Sequence, residues 1–200
     1  MIMLDEPFSA LDFYLREKLQ TELKDLLKGH QGDVILVTHR RDEAYRLCEQ
    51  LLVLDRGQTV ARGDTKEMFR NPQLLSVAQL TGCKNFSRTK ILDKNHIEAI
   101  DWGIVLQTAE SIPSDSDYIG IRAHDFRPAQ AEEKNAFPIA VVEKIESPFG
   151  WDIVFQTKEQ GPKIWWQFSK ESSMAKENLP QYLSIAPERI LLLRSCGHSL

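Results

Sequence analysis

Two consecutive carboxylates, Asp5 and Glu6, follow directly on an uninterrupted apolar run, Met1-Ile2-Met3-Leu4. A run of this kind reads as a strand covered on both faces. Ligands of open α/β sheets gather beyond the carboxyl ends of the strands. A strand that delivers two acidic groups there has the parts for nucleotide hydrolysis. One carboxylate holds Mg²⁺ through its water shell, and the next polarises an attacking water. The bland alternative is a surface Asp-Glu pair capping the next helix. Two further features weigh against it. Ser9-Ala10-Leu11-Asp12 comes immediately after, and a second apolar run, Val34-Ile35-Leu36-Val37, ends in Thr38-His39. Alone, His39 reads as a satisfied histidine at a strand end; its position after the acidic strand reverses that weighting.

These residues need a framework of alternating strands and helices. Leu15, Leu19, Leu23, Leu26 and Leu27 recur at helical spacing, and Gly29 is a plausible stop. A short helix is expected through Ala44 and Leu47. Leu51–Leu54 and Thr59–Arg62 flank Asp55-Arg56-Gly57-Gln58 and read as a hairpin. Asp64 with Glu67 has the form of a helix N-cap. Asn71-Pro72 breaks the chain before a last helix, Gln73 to Leu80.

The ordered set of motifs resembles the ATP-binding subunits of ABC transporters over residues 1 to 82. Met1–Glu6 looks like their Walker B strand, Ser9–Asp12 like their D-loop, and Val37-Thr38-His39 like their H-loop. The run 42–45 (Asp-Glu-Ala-Tyr), the Asp55-Arg56-Gly57 turn and the Gly63-Asp64 helix start follow the same pattern. The resemblance implies that Asp5 holds Mg²⁺ and that Glu6 is the general base. It implies that His39 contacts the γ-phosphate and links it to the base and the opposing subunit. Ser9 and Asp12 would then lie at the interface of a homodimer of nucleotide-binding domains. The implied fold is an α/β portion of a P-loop NTPase.

Part of that pattern is missing. A phosphate-cradling loop needs glycines and a lysine, yet none of the ten glycines is followed by lysine. No Walker A or LSGGQ-type signature precedes the acidic strand, and no adenine-stacking aromatic does. The chain is therefore read as N-terminally truncated, either a shortened form of a longer subunit or a split or degenerate gene product. ATP and Mg²⁺ are expected in the complete subunit, with no tight binding by these 200 residues alone. A partial sheet leaves an apolar edge, so self-association is expected.

From Asn85 onward the pattern changes to short β-like runs separated by turns. They are Phe86–Leu92, Ile97–Ile100, Ile104–Gln107, Tyr118–Arg122, Ile139–Glu146, Ile153–Gln156, Ile164–Phe168 and Tyr182–Ile185. This predicts a second, all-β domain over 85–200, an OB-like barrel. Tyr118–Asp125 and Ile185–Ile190 resemble the TOBE or molybdate-binding-like extension of importer ATPases. Thr81–Phe86 looks like the junction in molybdate-type subunits, a molybdate/sulfate-like class. Such domains pair two subunits or bind a small oxyanion. Arg122, Lys144 and Ser147 are the candidate oxyanion donors. Trp151, Trp165 and Trp166 are expected to pack in the barrel or at a subunit contact.

The implied function is coupling of ATP hydrolysis to solute uptake, molybdate or another oxyanion among the candidates. The alternative is a non-catalytic oxyanion-sensing or dimerisation module. Composition is that of an ordinary globular chain, 42% apolar and 27% charged. A net charge of −4, spread evenly, argues against a nucleic-acid surface. No run reaches the ~18–20 apolar residues of a membrane span. The expected partner is a transmembrane permease, without direct membrane insertion, and the expected location is the cytoplasmic face of the cell membrane. Cys48, Cys83 and Cys196 form no CxxC pair and are expected as free thiols.

Overall fold

The N-terminal apolar run forms strand β1 (Ile2–Asp5), helix α1 (Phe13–Lys28) follows, and strand β2 (Val34–Val37) returns parallel to β1. The register sets Ile2 against Val34 and Asp5 against Val37. Helix α1 starts where Asp12 accepts the Leu15 N–H (2.9 Å) and ends at Gly29. In this computed structural model, residues 1–172 and 179–195 are described, and Cys196 lies outside them. Cys48 and Cys83 are free, as expected of both, and burial pushes the Cys83 thiol up to about 11.

Helix α2 (Arg41–Leu47) follows β2, and β3 (Gln50–Asp55) and β4 (Gln58–Asp64) form an antiparallel hairpin. Its turn places Arg56 and Gly57 both at positive φ (49° and 77°), the conformation of a two-residue primed turn. Helix α3 (Thr65–Arg70) begins with Asp64 Oδ1 accepting the Glu67 N–H (2.9 Å). These elements make one compact unit, Met1–Asn71.

The covering of the strands differs from expectation. Among the described residues β1 and β2 pair only with each other, and β3–β4 is a separate sheet. Met3, Ile35 and Val37 are exposed on one face of β1–β2. Burial alternates along each strand because one face has no cover among the described residues. On α1, Leu19, Leu23 and Leu27 are half-buried, whereas Leu15 and Leu26 are exposed.

The second compact unit, Pro72–Leu200, opens with α4 (Leu75–Leu80). Then come β5 (Asn85–Ile91), β6 (His96–Ala99), β7 (Ile104–Gln107), β8 (Tyr118–Ile121), β9 (Phe126–Pro128) and β10 (Ala136–Pro138). β11 (Ala140–Glu146), β12 (Gly150–Gln156), β13 (Ile164–Ser169), β14 (Tyr182–Ile185) and β15 (Leu191–Leu193) complete it. The sequence places the change of character at 82–85. The compact units divide between Asn71 and Pro72, with α4 in the β-rich unit. Leu75 N–H donates to Arg194 O (3.0 Å), and Ala78 packs with Cys83 and Leu193.

The expected barrel is replaced, among the described residues, by three open sheets. Their orders are β15-β8-β5-β6-β7, β10-β14-β9 and β11-β12-β13. They close over one apolar core that draws Ile97, Ile121, Phe126, Phe155, Trp166 and Leu183 from all three. Short strands such as β9, β10 and β15 end pairing before a sheet can close on itself. Two amides, Asn85 buried and Asn135 half-buried, tie the sheets together. Asn85 Nδ2 donates to Ile121 O (3.0 Å) and Trp165 O (2.9 Å), and its Oδ1 accepts the Trp165 N–H (2.7 Å). Asn135 joins β7 to β14 in the same way, through Gln107 and Ile185. No helix among the described residues is long and apolar enough to cross a membrane.

Candidate functional site

The parallel register of β1 and β2 brings their carboxyl ends side by side. Asp5 ends β1 opposite Val37, and one further ladder bond follows, from Glu6 N–H to Val37 O (2.9 Å). Glu6 then turns sharply: its φ is 43°, a left-handed conformation that costs a non-glycine residue about 1–3 kcal/mol. The turn carries the Glu6 side chain to the end of β2, where its Oε1 lies 2.9 Å from Nδ1 of His39. An ionised carboxylate only accepts, so the proton of this bond sits on Nδ1. Both side chains remain open to solvent, 44% exposed for Glu6 and 67% for His39. Asp5 is exposed beside them.

The loop after Glu6 is fastened from both ends. Ser9 N–H donates to Glu6 O (3.1 Å), and Phe8 is buried beneath the loop at 4% exposure. Arg16, one turn into α1, donates Nε to Phe8 O (3.3 Å) and a second nitrogen to Leu11 O. Ser9 and Asp12 are exposed on this loop, and Asp12 also caps α1. The helix cap is therefore Asp12, and the Asp5-Glu6 pair is left free of that duty.

Beyond β2, Thr38 Oγ1 donates to Glu43 Oε2 (2.6 Å) and accepts the Arg40 N–H (3.0 Å). Arg40 Nε lies 3.1 Å from Glu43 Oε1, and the Glu43 side chain is 2% exposed. Sequence reasoning assigned no role to Phe8, Arg16, Thr38 or Glu43. Only Glu43 had a visible signal, an acid on the apolar, core-facing side of a short helix next to Ala44.

The structure brings Asp5, Glu6 and His39 together and sets Ser9 and Asp12 on the adjoining loop. Arg122 lies by a different sheet from Lys144 and Ser147, which sit three residues apart on β11 and the turn that follows it. Arg122 follows β8 and donates to Thr81 O (2.9 Å) near the end of α4. Lys144 lies on β11 with its ammonium 4.1 Å from the Trp151 ring centroid. Ser147, in the β11–β12 turn, donates to Gly150 O (3.0 Å). Trp166 is core, while Trp165 lies under Lys84 at 5.3 Å. Each candidate donor is thus engaged in a local contact.

Asp5 and its neighbours fit Mg²⁺ in one specific way. No group of three or more His, Cys, Asp or Glu side chains among the described residues forms a closed metal site. Mg²⁺ keeps several waters and is commonly held by one or two carboxylates together with substrate phosphates. A lone exposed carboxylate beside an acid–imidazole pair suits that mode of binding.

No protein-family model matches the chain. It is similar to import ATP-binding proteins. The spermidine/putrescine import ATP-binding protein PotA of Mycoplasma genitalium is 30% identical over 168 residues, 80% of this chain and 29% of that protein. PotA of Ureaplasma parvum is 34% identical over 157 residues, 76% of this chain and 30% of that protein. The Fe(3+) ions import ATP-binding protein FbpC of Haemophilus influenzae is 28% identical over 186 residues, 92% of this chain and 52% of that protein. The chain spans between about a third and a half of the length of these relatives. All three are named as import ATP-binding proteins, and none of these names mentions an oxyanion.

Proposed function

We propose that the first unit supplies the acidic side of an ATP-hydrolysing site in the ATP-binding subunit of an ABC importer, and that the second unit is its accessory domain. The observation that carries this reading is the 2.9 Å contact between His39 and Glu6 at the carboxyl ends of two parallel strands, with Asp5 beside it.

In this reading Asp5 holds Mg²⁺ through its water shell, and the ion supplies neutralisation of charge on the phosphate oxygens. Glu6 accepts a hydrogen bond from the attacking water and takes its proton as the bond to phosphorus forms. His39 keeps the carboxylate oriented through Nδ1–H. When the ring is protonated, Nε2–H is a second donor, free to bind a phosphate oxygen. The left-handed backbone at Glu6 is stored strain that holds the base clear of the helix cap. None of the ten glycines precedes a lysine, so on this reading a phosphate-cradling loop would have to be supplied in trans or by the complete subunit. Ser9 and Asp12, exposed on the fastened loop, would face a second nucleotide-binding domain, and a permease would be the membrane partner at the cytoplasmic face.

Relatives named for two unlike cargoes, a polyamine and a ferric ion, align over most of this chain. The shared residues therefore do not select the cargo. An oxyanion-sensing role for the second unit is the weaker reading, because Arg122 and Ser147 already donate to carbonyl oxygens.

A chimera tests the proposal. The aligned segment of Ureaplasma parvum PotA is exchanged for the matching part of this chain, and ATP turnover is measured. Turnover should persist and fall by about 10²-fold or more on Glu6→Gln. A folded chimera that binds MgATP and turns it over equally with Glu6 or Gln at that position would refute the assignment.

A further inference from the structure

Glu43 is a buried carboxylate that the proposed chemistry does not use. A charge at 2% exposure costs several kcal/mol unless it is paired and hydrogen-bonded. Glu43 meets that requirement in part, with one hydrogen bond and one ion pair that lacks hydrogen-bond geometry, and its two partners are the sequence neighbours of His39. Oε2 accepts the Thr38 hydroxyl (2.6 Å), and Oε1 pairs with Arg40 Nε (3.1 Å). Thr38 Oγ1 closes the ring by accepting the Arg40 N–H (3.0 Å). His39 itself is 67% exposed, so packing does little to orient its imidazole. Its direction follows the backbone at 38–40, and the side chains on either side of it, Thr38 and Arg40, both meet one carboxylate.

We propose that Glu43 is a positioning residue: through Thr38 and Arg40 it holds His39 in hydrogen-bond reach of Glu6. The proposal rests on the reading of Glu6 and His39 as an acid–imidazole pair. A purely structural role is the competing account, because an acid in the first turn of α2 also suits the helix dipole, and Arg40 provides no side-chain cap.

The test needs no nucleotide. The ring nitrogen shifts of His39 are read by NMR in the 200-residue chain, with the imidazole neutral and its signals assigned through His39→Gln. Exchange protection of the α2 amides is read in the same samples. The wild type should show the Nδ1–H form, and Glu6→Ala should return the ring to the tautomer mixture of a free imidazole. Glu43→Ala and Thr38→Val should each move the ring signals at least half of the way to the Glu6→Ala values. Glu43→Gln, which keeps an acceptor for Thr38, should restore at least half of the loss.

If Glu43→Ala melts α2, Thr38→Val decides, because it leaves Glu43 in place. Wild-type ring signals in a Thr38→Val chain with α2 protected would overturn the proposal while leaving the Glu6–His39 pair standing. Wild-type signals indistinguishable from those of Glu6→Ala would overturn it by removing the pair, and the site assignment would fall too. Loss of turnover in the chimera with the pair intact would sink only the ATPase assignment.

Discussion

At the scale of the residue, the decisive arrangement is a pair of neighbours with different duties. Asp5 ends a strand and stays open, while Glu6 leaves the strand through a left-handed turn and meets His39. Asp12, seven residues on, has a plain structural duty that its motif did not announce: it caps α1. Asp12→Ala should therefore destabilise the first unit by about 1 kcal/mol. Hydrogen exchange in the first turn of α1 reads this directly, and unchanged protection there would show that the cap contributes nothing. An interface role for Asp12 would add a separate loss of turnover in the chimera, beyond the loss of stability.

At the scale of the element, the second unit holds its sheets together with side-chain amides as well as apolar packing. Asn85 makes three hydrogen bonds to main-chain groups of other elements. Asn85→Ala strands those groups, so it should cost about 2–4 kcal/mol. All four tryptophans lie beyond residue 100, so tryptophan fluorescence during urea unfolding follows this unit alone. A loss under 1 kcal/mol would mean that water replaces the amide freely.

The same unit carries an acid-sensitive tie. Hydrogen bonding to Arg88 holds the Asp101 carboxyl below its ordinary value, and Ser195 does the same for Asp117. A depressed folded value means that the contribution to stability is present above the unfolded carboxylate value, near 4, and is lost as pH falls through the folded value. Asp101→Asn should flatten the decline of stability below about pH 4. A midpoint of acid unfolding equal to that of the wild type would contradict this.

At the scale of the whole molecule, the first unit leaves apolar surface open. Met3, Ile35 and Val37 share the bare face of a two-stranded parallel sheet, and parallel sheets are ordinarily covered on both faces. The chain should self-associate through that face, and Ile35→Lys should shift it toward monomer in sedimentation runs at high concentration. A wild-type chain that sediments as a monomer throughout the concentration range would dispose of this expectation.

Periodicity and turn chemistry were enough to find α1, the β3–β4 hairpin, the Asp64 cap and eight strands of the second unit, because these are local signals carried within a few residues. They missed β9, β10 and β15, three-residue strands that exist only because distant partners align with them. They also implied a closed barrel, whereas closure depends on pairing among segments far apart in the chain. The identity of Asp5, Glu6 and His39 was legible from residue type and order. That Glu6 and His39 touch, and that Glu43 grips the loop between Thr38 and Arg40, was decided by the parallel register of β1 and β2 and the burial of α2. Sequence order names the candidate groups; a hydrogen bond between residues 33 positions apart is set only when the sheet brings the strand ends together.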